Sequence, residues 1–244
     1  MIYNDLIFIH IPKTGGSSIR SSLDKNYNLL YNANKQNLIK LGYSNKDNFE
    51  KYNFLVHDFK DHLPFQLIKK NDLERNKFIF TFIRNPFSRM VSLYYECMNN
   101  PLIDLNAGKG ISFEYFVNLV TEKSYWFTIP MIDYIGKNNI DKIDFIGRFE
   151  NFENDILKLR FKKKINISIK HHNFNNNIKN KLKFADYSKF YNNNKIIDNM
   201  NEYYKNDLKI FKYDYDQFID FEKKKMKSTT IFLKIFKRKI FNLL

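Results

Sequence analysis

Apolar residues in this chain follow two patterns. Leu6-Ile7-Phe8-Ile9 and Phe78-Ile79-Phe80-Thr81-Phe82-Ile83 are nearly unbroken apolar runs. Such runs suit strands covered on both faces, as in a parallel sheet. Phe54-Leu55-Val56 and Asp144-Phe145-Ile146 predict two weaker strands. After Pro86 the period changes: Phe87, Met90, Val91, Tyr94, Tyr95 and Met98 recur at helical spacing. Proline is favoured at the first helical position. Further helices are predicted near 17–23, 62–70, 112–122, 151–160 and 195–211. Strands alternating with helices predict an α/β fold around a central, mainly parallel sheet. The stretch 162–194 is polar and irregular, and reads as a loose connection or a substrate loop.

Composition narrows the class. The 244 residues suffice for a sizeable core, and 43% hydrophobic with 17% aromatic content excludes a disordered chain. A lone Cys97 excludes a disulfide framework and a four-cysteine zinc site. No apolar run reaches the roughly 18 residues that cross a bilayer. Met1 to Asp5 lacks the basic start of an export signal, so the expected compartment is the cytoplasm.

The formal charge of +15 is uneven. Residues 223–244 hold eight bases and no acids, leaving 33 bases against 26 acids, or +7, on residues 1–222. Two units are therefore expected: a domain of residues 1–222 and a basic amphipathic tail of 223–244. On a helical wheel Phe232, Ile235, Phe236, Ile240, Leu243 and Leu244 gather on one side, and Lys234, Lys237 and Arg238 on the other. That pattern suits an anionic membrane surface, the inner face for a cytoplasmic protein. A terminal helix packed on the body or on a second subunit is the other reading.

Two strand-to-helix turns carry the candidate chemistry. In open parallel sheets ligands bind beyond the carboxyl ends of the strands. The first turn is Pro12-Lys13-Thr14-Gly15-Gly16-Ser17-Ser18. Gly15 and Gly16 let backbone curl closely around a ligand, and the amides of 14–18 would point at an anion on a helix N-terminus. Thr14, Ser17 and Ser18 add hydroxyls, and Lys13 adds a mobile charge. The lysine precedes the glycine pair, unlike a Walker A sequence. In the second turn Arg84 ends a strand and can grip a phosphate with two N–H groups. Ser92 follows two helical turns later, and Arg89 is a candidate for a structural ion pair.

Together these segments resemble the sulfotransferase superfamily, in particular carbohydrate sulfotransferases of the heparan-sulfate 2-O type and their bacterial relatives. The residues that carry the resemblance are His10-Ile11-Pro12-Lys13-Thr14-Gly15-Gly16-Ser17-Ser18 and Arg84-Asn85-Pro86-Phe87-Ser88-Arg89-Met90-Val91-Ser92. Asp144-Phe145-Ile146-Gly147-Arg148-Phe149-Glu150-Asn151 and the pattern Tyr203, Tyr204, Asp207, Phe211, Tyr213 add weaker support. The resemblance implies a P-loop-like three-layer α/β/α sandwich. It implies sulfuryl transfer from 3′-phosphoadenosine 5′-phosphosulfate (PAPS) to an acceptor hydroxyl, here of a carbohydrate such as a cell-surface polysaccharide or glycolipid precursor. Lys13, Thr14, Gly15, Gly16, Ser17 and Ser18 would hold the 5′ end, and Arg84 and Ser92 the 3′-phosphate. The chain departs from the family at Pro130-Met131-Ile132-Asp133-Tyr134, where methionine stands in place of a frequent glutamine.

Transfer of this kind needs alignment, charge stabilisation and a base. Lys13 is assigned the charge on the leaving oxygen. His57, after the strand at 54–56, is the candidate base, with His62 and Glu150 behind it. His10 is expected to pack beneath the first loop. His171 and His172 could touch an acidic acceptor. No metal site and no specific nucleic-acid partner are expected. A non-catalytic polyanion- or nucleic-acid-binding protein and a nucleotide-dependent kinase remain the rival readings.

Overall fold

The two long apolar runs lie side by side. The strands are β1 (Ile2–Tyr3), β2 (Leu6–Ile9), β3 (Leu29–Tyr31), β4 (Asn48–Phe49), β5 (Phe54–Leu55), β6 (Phe78–Ile83) and β7 (Phe145–Arg148). The helices are α1 (Gly16–Asn26), α2 (Lys70–Leu73), α3 (Pro86–Asn99), α4 (Phe113–Lys123), α5 (Met131–Ile135), α6 (Phe152–Lys163), α7 (Asn194–Tyr203), α8 (Lys205–Phe211) and α9 (Tyr215–Phe241). This computed structural model describes residues 1–31, 48, 49, 51, 54, 55, 61–68, 70–73, 76–100, 105, 110–163, 165, 167 and 185–241.

Five strands form one sheet in the order β3-β1-β2-β6-β7. β2, β6 and β7 run parallel, with Phe8 opposite Phe80 and Phe80 opposite Phe145. β1 and β3 add a short antiparallel edge that the hydrophobic pattern does not announce. Two or three residues are too few to show a period of two.

Alternation along the parallel strands sorts the core into two layers. Ile7, Ile9, Ile79 and Ile83 face one way, onto Ile129, Met131, Ile132, Ile135 and Phe211. Leu6, Phe8, Phe78, Phe80 and Phe82 face the other, onto Ile19 and Leu23 of α1 and Ile156 and Leu159 of α6. Helices on both faces make the expected three-layer sandwich. A further cluster, holding the buried thiol of Cys97, joins α3, α4, α7 and the start of α9.

Three expectations need correction. The strand at 54–56 is real over Phe54–Leu55, but it pairs antiparallel with β4 in a separate two-stranded ribbon. An antiparallel partner needs only a short connection, whereas a place in the parallel sheet needs a crossover. The carboxyl-edge argument for His57 therefore loses its strand, and His57 itself lies outside the described residues. The helix expected near 62–70 is a 3₁₀ turn at Phe65–Leu67 followed by α2. The stretch 195–211 is two helices parted at Tyr204, whose hydroxyl donates to the Thr128 carbonyl at 2.5 Å.

α9 runs unbroken across 222/223, the point where the charge distribution changes. Phe218 is buried, and Glu222 is buried with Oε2 accepting from the Tyr187 amide at 3.0 Å. The Lys225 ammonium donates to the same oxygen at 2.7 Å and lies 4.1 Å from the centre of the Tyr187 ring. Among the described residues no helix is long and apolar enough to cross a membrane.

Candidate active site

The first loop leaves β2 and rises into α1. Lys13 has φ +66° and Gly15 φ +94°, so the chain makes two left-handed turns before the helix starts. Such a conformation is cheap for glycine and uncommon for lysine. Gly15 occupies the N-cap, and no side chain caps α1. Its first-turn amides therefore lack the partner that a serine or aspartate cap would give them.

Gly16 is fixed by what lies under it. A Cβ there would come 2.0 Å from His10 Cδ2 and 2.1 Å from its Nε2. The His10 ring is buried, stacked on Phe8 at 5.2 Å and against His62 at 4.1 Å. His10 thus packs beneath the loop, as the sequence suggests. Thr14 does not offer its hydroxyl outward. It is fully buried, and its Oγ1 donates to the Ile11 carbonyl at 2.9 Å, closing the loop on itself. Ser17 is exposed and Ser18 half-buried at the start of α1.

The second turn meets the first. Arg84 extends from β6 with only 6% exposure. Its Nε donates to Ser88 Oγ at 2.8 Å and its Nη1 to the Lys13 carbonyl at 3.1 Å. Its guanidinium carbon lies 4.0 Å from the centre of the Phe149 ring. None of the described residues sets a carboxylate against it. A buried cation without a counter-ion is costly, so the arrangement suits an anion supplied from outside. Ser92 is half-buried one turn beyond Ser88 on α3.

One turn further, Glu96 Oε2 accepts from the Lys13 ammonium at 3.1 Å. Glu96 Oε1 accepts from Asn100 at 3.1 Å. Ser88, Ser92 and Glu96, with the C-cap Asn100, thus form a polar stripe at every fourth residue of α3. The sequence reading missed Ser88 and Glu96, although their i, i+4 spacing with Ser92 was a visible signal.

The remaining candidates are structural. Among the described residues Arg89 makes no ion pair. It is fully buried and donates to the carbonyls of Pro12, Ile129 and Phe127, each at 3.0 Å. It therefore ties the first loop to the segment before α5. Glu150 is committed through both oxygens, to the Asn85 amide at 2.7 Å and the Tyr213 hydroxyl at 2.8 Å. Asp207 caps α5 by accepting from the amides of Met131 and Ile132, and burial pushes its carboxyl up to about 7. Met131, at the family's glutamine position, is buried in the core. His171 and His172 lie outside the described residues. No group of three or more His, Cys, Asp or Glu among the described residues could hold a metal ion.

His62 is not placed as a base either. Its Nδ1 donates to the His10 carbonyl at 2.6 Å, and its ring packs on His10 and Trp126. Burial lowers its pKa from 6.5 to about 4. A histidine held down when folded binds its proton mainly in the unfolded chain. Its stabilising effect is complete above pH 6.5 and is lost as the pH falls to about 4. The thermal midpoint of the wild type should therefore drop more steeply over that window than that of His62→Gln. Parallel curves in scanning calorimetry would contradict this.

Comparison with curated proteins gives no match. Among solved structures, mouse sulfotransferase SULT7A1 complexed with PAP aligns with a TM-score of 0.44 and 15% identity, over 78% of this chain and 67% of that one. Residues 3–214 match the family described as Sulfotransferase family. That span includes both strand-end turns, the Phe149 ring against Arg84 and the Asp207 cap, and the chain belongs to the sulfotransferase family.

Proposed function

We propose that the chain transfers a sulfuryl group from PAPS to a carbohydrate hydroxyl. The observation that carries the donor assignment is the junction of Arg84 with the first loop. A guanidinium without a carboxylate partner grips the Lys13 carbonyl beside an uncapped helix N-terminus. The pair of turns offers two anion sites that one nucleotide with phosphates at both ends can bridge. The residues fit such a donor: a side chain at Gly15 would meet the Phe152 ring and one at Gly16 the His10 ring, so only glycine at both lets the loop lie close on its supports with its amides turned to a ligand.

In this reading Arg84 and Ser92 hold the 3′-phosphate. The amides at the start of α1, with Ser17 and Ser18, hold the 5′-phosphosulfate. Thr14 supports the loop from inside. Bound PAPS supplies the activated sulfuryl group. Lys13 neutralises charge that grows on the oxygen bridging sulfur and phosphorus as that bond breaks. Phe149 walls one face of the guanidinium and keeps water from it.

The test is direct. The full chain is incubated with PAPS and a panel of polysaccharides and alkyl glycosides, and products are read by mass spectrometry. Addition of sulfate to a glycan hydroxyl, with release of adenosine 3′,5′-bisphosphate, is the expected result. Sulfation confined to non-carbohydrate alcohols would overturn the acceptor class. Absence of nucleotide binding would overturn the donor.

A further inference from the structure

We propose that Glu96 is the general base that takes the acceptor's hydroxyl proton. The proposal rests on the sulfuryl-transfer reading above. Its starting point is position. Glu96 is the described carboxylate that touches the Lys13 ammonium, and in that reading Lys13 marks where the sulfur–oxygen bond breaks. The Glu96 side chain is 37% exposed and Lys13 30%, so a hydroxyl can approach from solvent. The other described candidates fail on geometry. Both oxygens of Glu150 are taken by the fold, Asp207 is fully buried under two amides, and the His62 ring is packed between His10 and Trp126.

The stripe along α3 gives the arrangement its logic. Ser88 holds Arg84, Ser92 follows, and Glu96 ends at Lys13. At a rise of 1.5 Å per residue, Ser88 and Glu96 stand about 12 Å apart along the helix. One helix face therefore runs from the 3′-phosphate site to the reacting group. Asn100 donates to Oε1 of Glu96 and Lys13 to Oε2. When Lys13 turns to the leaving oxygen, Oε2 gives up that ammonium and gains an anionic sulfuryl neighbour. Both changes favour taking up a proton. The carboxylate thus becomes a stronger base at the moment the donor is in place.

The balance is simple. The acceptor oxygen forms a bond to sulfur as its proton passes to Glu96 Oε2. The bond from sulfur to the bridging oxygen breaks, and its electron pair stays on the phosphate of adenosine 3′,5′-bisphosphate, beside Lys13. Glu96 then releases the proton to water.

The experiment uses the full chain, PAPS, and water as the hydroxyl, read as adenosine 3′,5′-bisphosphate released over time. Glu96→Gln should slow this cleavage about 100-fold or more. Its affinity for adenosine 3′,5′-bisphosphate in calorimetry should stay within about threefold of wild type. Glu96→Asp should keep part of the rate, and formate should restore part of it to Glu96→Ala. The wild-type rate should not show the fall below about pH 6.5 that an imidazole base would give. Cleavage by Glu96→Gln as fast as wild type or faster would show that Glu96 merely restrains Lys13, and would overturn the proposal. A rate that falls below about pH 6.5 in both proteins would hand the role to an imidazole such as His57, with the same consequence. If the wild type neither binds the bisphosphate nor cleaves PAPS, it is the donor reading that fails, and the wild-type arm alone reveals that.

Discussion

Arg84→Ala should weaken binding of adenosine 3′,5′-bisphosphate about 100-fold, with much less effect on 5′-AMP. The guanidinium has one N–H group on Ser88 and another on the Lys13 carbonyl, and none of the described residues offers it a carboxylate. It is thus pre-oriented by neutral groups and keeps its charge for a ligand. Hydrogen bonds to charged groups are worth about 1.5–3 kcal/mol each, and about 1.4 kcal/mol is tenfold in affinity. Two such bonds to a 3′-phosphate give the stated loss. Arg84→Lys should fall between wild type and alanine, since one ammonium cannot reach Ser88, the loop carbonyl and a phosphate together. Titration calorimetry separates the outcomes. An equal loss for both nucleotides would mean that the variant only loosens the Lys13 turn. No loss for either would remove Arg84 from the donor site.

Gly16→Ala should cost about 1–3 kcal/mol of stability and abolish nucleotide binding in whatever protein remains folded. The added methyl would meet the His10 ring at 2.0 Å, and that ring has no retreat. Phe8 backs it on one side and His62 on another, while His62 is itself fixed by the His10 carbonyl. The loop must therefore lift off the sheet, which carries the first-turn amides of α1 away from their ligand. Gly15→Ala is the useful contrast. Its methyl would meet the Phe152 ring at 2.8 Å, at a residue with φ +94°. Strain there falls on the N-cap more than on the sheet. Chemical denaturation with a nucleotide titration checks both, and a Gly16→Ala protein with wild-type midpoint and affinity would refute the account.

What could be read from the sequence follows from how local each feature is. β2 and β6 are covered on both faces, so they are written as unbroken apolar runs. Both turns are short segments at strand ends, and their composition already implies an anion. The roles inside them depend on contacts from elsewhere. Thr14 turns inward because Ile11, three residues back, offers a carbonyl. Arg89 meets carbonyls from two distant stretches, which no local pattern reveals. Lys13 meets Glu96 across 83 residues, because α3 lies along the loop. Phe54–Leu55 shows the opposite failure: its composition marks a strand but not the sheet it joins.

The continuity of α9 links residue count to orientation. Cutting the chain at 222, where its charge changes, would also remove Lys225 and its hold on Glu222 and Tyr187. A tail deletion that spares this contact must start beyond Lys225. The helix continues unbroken to Phe241, so the number of residues along it sets the rotation of its far end relative to its start. At 3.6 residues per turn, one residue inserted after Ser228 would rotate the helix beyond it by about 100°, and four would bring it nearly back. Whatever takes hold of the far end of this helix thereby also orients the body, and with it Lys13 and Glu96.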